Sequence, residues 1–190
     1  MLKTLFRRPR YERAAHNLYV SLVRQARSPW FYADLGVPDT PEGRFEAITL
    51  HTFLIIHRLN QENRRTSELS QQLFDVLFGD MDSGLREMGV GDVGVGKRLK
   101  RMIQDFYGRA AAYEQAIKTG GEELKLALAR NVLGNTAKSG SPALEAALAV
   151  YVREQITVLS GQDLNDLLRG EVSFGPPPET APCIIAAGPK

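Results

Sequence analysis

The sequence has few of the residue patterns on which disulfides, metal sites, membrane spans and β-sheets depend. Its one cysteine, Cys183, can form neither an intramolecular disulfide nor a multi-cysteine metal site, which favours a reducing compartment. The densest apolar run, at about 48–56, is interrupted by polar residues, and the opening residues lack the apolar core of a secretion signal. We therefore predict neither a membrane span nor export. Runs of β-branched residues of strand length are also missing, which excludes the sheet of a nucleotide-binding fold.

What is present is helical periodicity. Apolar residues recur every three or four positions through most of a 190-residue chain that is 43% hydrophobic, a pattern typical of an all-α protein. We predict a single-domain bundle of about six helices with a Pro/Gly-rich C-terminal tail. It divides into a basic segment at 1–9, a helical domain at 10–160 and a poorly ordered tail at 161–190. The helices are expected near 10–26, 41–61, 69–88, 97–119, 122–132 and 141–159, the second of them apolar on nearly all sides and therefore central.

A glycine-rich stretch between the third and fourth predicted helices matches two phosphate-binding motifs incompletely. Gly91 to Arg98 spells G-x-x-x-x-G-K but has arginine where a P-loop needs a hydroxyl for magnesium. Gly89 begins an overlapping dinucleotide-type pattern, G-x-G-x-x-G, which has meaning only after a strand. Because a helix precedes these glycines, we interpret the stretch as a turn whose glycines adopt positive φ and after which Lys97 opens the next helix. A nucleotide-binding switch stays open as an alternative.

Residues that could carry catalysis do not converge. His51 and His57 are six residues apart, and six helical steps rotate about 240°, so the two imidazoles point to different sides and cannot jointly hold a metal or a haem iron. We interpret each as a hydrogen-bonded or exposed histidine. No nucleophile lies near a base at helical spacing. The sequence therefore predicts a protein that is not an enzyme and has no cofactor.

The remaining unusual features are surfaces suited to a partner. Aromatic residues and arginines are frequent interface anchors, and separated patches of opposite charge favour oriented docking. Each cation in the first turn of a helix interacts unfavourably with the helix dipole, at a cost of about 0.3–1 kcal/mol. An anionic partner would offset this cost. For the aromatic residues, ordinary core packing is the alternative. The partner-binding candidates are Trp30, Phe31, Tyr32, Asp80, Asp82, Gly91, Asp92, Lys97, Arg98 and Arg101.

The N-terminal segment forms a second candidate surface. Lys3, Arg7, Arg8 and Arg10 lie close together, with apolar residues between them. Such a segment can dock on anionic lipid, to which each basic residue contributes about 1 kcal/mol, or on RNA, including a ribosome. A solvated, frayed terminus is the alternative. We keep a peripheral membrane-docking or RNA-docking module as a second functional hypothesis.

The order of short sequence words along the chain resembles the ubiquinol-cytochrome c chaperones, assembly factors of the respiratory cytochrome bc complex. The similarity covers about 10–133, and the last helix and the tail carry little of it. The words that carry it include Trp30-Phe31-Tyr32, Gly36-Val37-Pro38-Asp39-Thr40, Gly43-Arg44-Phe45-Glu46, Asp80-Met81-Asp82, Leu85-Arg86-Glu87-Met88-Gly89-Val90-Gly91-Asp92, Gly96-Lys97-Arg98 and Phe106-Tyr107-Gly108-Arg109.

The resemblance implies an all-helical, non-enzymatic chaperone that holds newly made cytochrome b and delivers it to the assembling complex. It implies a cytoplasmic location with peripheral contact to the inner membrane, which is the matrix side in a mitochondrial relative. A ribosome or a small partner chaperone is a further expected partner, and no specific nucleic acid is expected.

Overall fold

The computed structural model describes residues 10–134 and 141–178, and these residues form helices without a strand. The all-α prediction is confirmed. The α-helices are α1 Glu12–Ala26, α2 Pro29–Ala33, α3 Pro41–Asn60, α4 Ser67–Glu87, α5 Asp92–Thr119, α6 Glu122–Leu128, α7 Pro142–Ser160 and α8 Leu164–Arg169, with a 3-10 turn at Asn63–Arg65 and a π-helical turn at Ala129–Leu133.

Helix α3 is the central element, as its apolar surface predicted. It starts where Thr40 accepts a hydrogen bond from the Gly43 N–H (3.2 Å) and Pro41 occupies the first position, a favourable helix start. Leu50, Phe53 and Leu54 pack toward α2, α6 and α7, whereas Ile48 and Ile55 pack toward α1, α4 and α5. Two apolar clusters therefore meet along the two sides of one helix.

The glycine-rich stretch differs from its predicted form. Helix α4 ends at Gly89 with φ +78°, the expected positive-φ glycine, and the Val90 N–H bonds back to the Leu85 carbonyl (3.1 Å). Helix α5 then begins at Asp92, five residues earlier than predicted, and the Val95 N–H donates to the Gly91 carbonyl (3.0 Å). The glycines from position 94 onward are wound into a helix, so they form no loop that could cradle a phosphate.

The aromatic segment lies outside the helices expected from the sequence, yet Trp30, Phe31 and Tyr32 form the short helix α2. Trp30 and Phe31 are buried among Leu50, Tyr151 and their neighbours, so the core-packing interpretation of these two residues is confirmed. Neither side chain is available as an exposed anchor in this arrangement. Tyr32 is half-buried and donates its hydroxyl to the Ala26 carbonyl (2.9 Å).

The chain after α7 is organised where the sequence predicted loss of order. Asp163 caps α8 by accepting from the Asn165 N–H (2.6 Å), and Gly170 ends α8 in the left-handed region. Residues 171–175, which we call the strap, then run between α1 and α7 without regular secondary structure, and Phe174 packs against both apolar clusters. Six residues are too few for a periodic signal, which is why α8 was missed. Residues 179–190, with Cys183, lie outside the described part of the chain.

Candidate functional site

The candidate partner residues that are not in the core gather at one corner, formed by the end of α4 and the beginning of α5. The Schellman-type turn at Gly89 and the N-cap residue Gly91 hold the two helix ends together. Both glycines are exposed and have open space around them. The turn therefore brings Asp80 and Asp82, on α4, to the same end of the molecule as Asp92 and Lys97, on α5.

The acidic candidates at this corner are engaged in internal contacts. Arg86 donates to Asp82 (2.6 Å) and pairs across the turn with Asp92, and these two hydrogen bonds raise the pKa of the guanidinium. Asp80 accepts the Tyr19 hydroxyl (2.7 Å) and so joins α4 to α1, with the pKa of Tyr19 raised by burial and then by this hydrogen bond. The sequence named these carboxylates as partner-binding candidates. In the structure each of them already bonds to a side chain of the protein, and Asp80 links two packed helices.

The basic candidates point outward. Lys97, Arg98 and Arg101 are all exposed, and Lys97 and Arg98 form no ion pair with any residue in 10–134 or 141–178. Arg101 lies 4.0 Å from the Asp105 carboxylate, a contact too exposed to neutralise it. The argument from the helix dipole was wrong, because α5 begins at Asp92 and the first of these cations lies in its second turn, beyond the reach of that effect. These three cations are accessible to a partner because they are exposed, and not because of their position relative to the helix end.

Exposed apolar side chains lie beside these cations. Met88 is 61% exposed in the turn, Val93 is 75% exposed in the first turn of α5, and Tyr107 is 57% exposed further along the same helix. Tyr107 stacks on Phe74 of α4, with ring centroids 5.4 Å apart. We call these residues together with Lys97, Arg98 and Arg101 the α4–α5 corner. It combines apolar area with unpaired positive charge, the pairing that an amphipathic partner surface needs.

Both candidate histidines are hydrogen-bonded, as predicted. His51 is fully buried, and its Nδ1–H donates to the Ala47 carbonyl (2.7 Å), so its Nε2 accepts the Tyr151 hydroxyl (2.7 Å). Burial lowers the pKa of His51 to about 4, so the ring is neutral. His57 pairs with Glu114 through its Nδ1 (2.6 Å). Within 10–134 and 141–178 no three His, Cys, Asp or Glu residues come close enough to hold a metal ion.

A polar cluster between α3, α5 and the π-helical turn had no signal in the sequence. Glu46 accepts from Arg109 at 2.5 Å, with both side chains largely buried, and burial raises the pKa of the Glu46 carboxyl although the guanidinium opposes that shift. Tyr113 lies beneath them with its pKa raised by burial. The cluster joins three elements across the core, which indicates a structural role.

The basic N-terminal candidates fall mostly outside the described chain. Lys3, Arg7 and Arg8 precede residue 10, so their docking role stays a prediction. Arg10 is exposed and lies over the Tyr11 ring, 5.1 Å from its centroid. No helix in the described ranges is both long enough and apolar enough to span a bilayer.

The sequence of this chain is similar to those of known proteins. The ubiquinol-cytochrome C chaperone family model matches residues 33–174. Ubiquinol-cytochrome-c reductase complex assembly factor 1 of Xenopus laevis is 27% identical over 86% of this chain and 81% of its own length. The human protein of the same name is 30% identical over 89% of this chain but only 56% of its own length. The match continues through α7, α8 and the strap, beyond the region in which the sequence words suggested it.

A solved structure extends the likeness to three dimensions. The crystal structure of the Cbp3 homologue from Brucella abortus superposes on this fold with a TM-score of 0.77 and 36% sequence identity, covering 88% of this chain and 91% of that one. The helices that build the corner and the core are therefore arranged as in a relative of related sequence. The chain belongs to the ubiquinol-cytochrome c chaperone family.

Proposed function

We propose that this protein is a chaperone that binds newly made cytochrome b and promotes assembly of the respiratory cytochrome bc complex. The observation that carries the proposal is the family match over residues 33–174, together with relatives that are named assembly factors of ubiquinol-cytochrome c reductase. The family is one of chaperones, so the expectation of a non-enzymatic protein is confirmed. Inner-membrane contact, a small partner chaperone and contact with the ribosome are proposed on the same resemblance.

We assign client contact to the α4–α5 corner. A newly made membrane protein presents apolar helices joined by polar loops, and an amphipathic surface can bind both parts at once. Met88, Val93 and Tyr107 offer apolar area, and Lys97 and Arg98 offer cations that no other residue in the described ranges neutralises. Acidic loop residues or lipid headgroups next to a client helix would form ion pairs with these two cations.

The test is affinity capture of the tagged full chain, expressed at its native level in its own host, with quantitative mass spectrometry of gently solubilised partners. Cytochrome b should be enriched over other abundant membrane proteins. Lys97→Glu combined with Arg101→Glu should remove most of that enrichment because it reverses charge at the corner. Arg24→Glu combined with Lys118→Glu makes the same total charge change on other exposed positions and should leave enrichment near the wild-type level.

The outcomes test the identity of the client and the location of the binding surface separately. No enrichment of cytochrome b with the wild-type chain contradicts the proposed client. Enrichment that the corner variant retains, while its melting temperature matches that of the control variant, contradicts the corner as the binding surface. Capture of ribosomes or lipid alone, with affinity that falls steeply as salt rises, would instead support docking through the basic N-terminal segment.

A further inference from the structure

One side of helix α5 is exposed over most of its first half, and no acidic residue lies on it. At about 100° of rotation per residue, eight positions between 93 and 111 fall within about 120° of one another. All eight are exposed, and they are Val93, Lys97, Lys100, Arg101, Gln104, Tyr107, Gly108 and Ala111. Asp105, the only acidic residue between positions 93 and 111, projects to one side of them, where it lies 3.9 Å from the Arg109 guanidinium. We call the eight residues the outer face of α5.

The outer face and its border carry positive charge that the protein itself leaves largely unpaired. The cations of this region that form no ion pair with any residue in 10–134 or 141–178 are Lys97, Arg98 and Lys100. Arg101 has one loose contact, at 4.0 Å from the Asp105 carboxylate. At the connection from α4, Asp92 is paired with Arg86, which leaves Glu87 as an exposed carboxylate near these cations. The four cations outnumber it, so the surface attracts an anionic partner.

Exposed apolar side chains lie among these cations. Of the seven large apolar side chains exposed in 10–134 and 141–178, three belong to this end of the molecule. Val93 is 75% exposed one turn before Lys97, Met88 is 61% exposed in the turn that leads into α5, and Tyr107 is 57% exposed two turns beyond Lys100. Cationic and apolar groups therefore share one exposed line of a helix, a pattern typical of helices that lie in a membrane interface.

We infer that the outer face of α5 lies flat on a bilayer that contains anionic phospholipid. In this orientation the cations reach headgroup phosphates, Met88 and Val93 enter the boundary with the acyl chains, and Tyr107 lies at the depth where tyrosine is favoured. A nucleic acid would match the charge but would leave the exposed Val93 in water. The outer face is also one side of a single helix, about 27 Å long from Val93 to Ala111, and such a surface suits a flat partner.

The inference deepens the proposed function and rests on it for the use of this corner, but it names a different contact. The corner would meet client helices at the level where they leave the bilayer. Its cations would then bind lipid phosphates instead of acidic loops of the client. Vesicles that contain no cytochrome b can test this contact, so the result is independent of the capture experiment.

The test is sedimentation of the full chain with vesicles of phosphatidylcholine, either alone or with about one third phosphatidylglycerol. The chain should bind the anionic vesicles only, and its affinity should fall as salt rises from about 50 to about 200 mM. Each basic residue near an anionic surface strengthens binding about fivefold, so Lys97→Glu combined with Lys100→Glu should weaken it about 25-fold or more. Arg24→Glu combined with Arg64→Glu makes the same charge change at exposed positions outside α5 and should weaken binding about threefold or less.

A fluorescent label tests whether the helix enters the membrane interface. Cys183 is the only cysteine of the chain, so a Cys183→Ser background allows a single label at a chosen position. An environment-sensitive dye on Val93→Cys should shift its emission to the blue on anionic vesicles and become protected from a water-soluble quencher. The same dye on Leu126→Cys, at a residue of α6 that is 59% exposed, should show neither change.

Four results would overturn the inference. The first is equal binding, or no binding, to the two kinds of vesicle. The second is equal loss of binding in the two charge-reversal variants, which would assign docking to the basic N-terminal segment or to net charge. The third is a dye at position 93 that stays in water while the chain sediments with anionic vesicles. The fourth is binding to RNA without binding to vesicles. Capture of cytochrome b in spite of any of these results would leave the proposed function standing.

Discussion

Replacement of Gly170 by alanine should destabilise the fold through two separable effects. Gly170 has φ +84°, a left-handed conformation that costs an L-residue about 1–2 kcal/mol. A methyl group there would also lie 2.6 Å from the Ala14 carbonyl oxygen and 2.7 Å from the Ala14 Cα atom, both in the backbone of α1. Because backbone cannot rotate away, α8 and the strap must move off α1, and overpacking of this kind costs about 1–3 kcal/mol. The expected total is about 2–5 kcal/mol.

Gly89→Ala is the matched control. Gly89 has φ +78°, close to that of Gly170, and a methyl group there meets nothing within 4 Å. It should therefore carry only the conformational cost, about 1–2 kcal/mol. The reduction in unfolded-state freedom is the same for both substitutions and cancels in the comparison. The difference between the two variants isolates the contact between α8 and α1.

The measurement is the free energy of unfolding from urea titrations followed by far-ultraviolet circular dichroism at constant slope m. Gly170→Ala should be less stable than Gly89→Ala by about 1–3 kcal/mol. Equal losses in the two variants would refute the reasoning, because they would mean that α8 is not held against α1. A loss in Gly170→Ala accompanied by a smaller m would indicate release of the strap in the native state, because surface that is already exposed adds nothing to the surface exposed on unfolding.

Three further predictions concern the interior. Tyr151→Phe should lower the free energy of unfolding by about 1–3 kcal/mol, because it removes the hydroxyl that bonds His51 and accepts from Gln25 (3.0 Å). The free energy of unfolding should fall as pH is lowered from 6.5 to about 4, since His51 binds a proton in the unfolded chain that it cannot bind when buried. Arg58→Met should cost about 1–3 kcal/mol, because the guanidinium donates to the Leu159 and Gln162 carbonyls at the end of α7 (3.0 and 3.2 Å).

Each of these predictions has its own check. Urea titration of Tyr151→Phe against wild type should show the loss, and an unchanged midpoint would argue against the buried hydrogen bond. The pH dependence is tested by difference: His51→Gln should lack the part of the slope between pH 6.5 and 4 that wild type shows, and parallel curves would contradict the assignment. For Arg58→Met the thermal midpoint should fall, whereas Arg64→Met, an exposed arginine in the 3-10 turn, should leave it almost unchanged.

The part of the fold that periodicity controls could be predicted from the sequence. Helix α3 is apolar on nearly all sides, and that pattern alone placed it at the centre. Its start, expected near residue 41, lies where Thr40 caps the helix and Pro41 takes the first position, and Gly89 predicted where α4 ends. These features depend on residues within one or two turns of each other, so local rules suffice to find them.

The strap and the hydrogen bond between Tyr19 and Asp80 could not be predicted, because they join distant parts of the chain. Gln155 and Gln162 bind main-chain atoms, and main-chain recognition leaves no mark on the residues that are bound. Asp80 was named as a partner-binding candidate because its own hydrogen-bond partner, Tyr19, lies on another helix and leaves no local signal. For Lys97, Arg98 and Arg101, the helix-dipole argument was wrong because α5 begins earlier than predicted; the three residues are exposed, and their contact with a partner stays a prediction.

The contact between the strap and α1 also has a consequence for synthesis of the protein. The first described helix completes its burial only against residues 167–175, since Leu167 packs into the cluster of Leu18 and Leu22, and Gly170 abuts Ala14. On the ribosome, α1 emerges before α3 to α8, and the part of its surface that faces α8 and the strap stays uncovered until residues 167–175 follow. A chain interrupted before residue 167 therefore leaves this part of α1 exposed, although α3 and α4 still cover the rest of its apolar side.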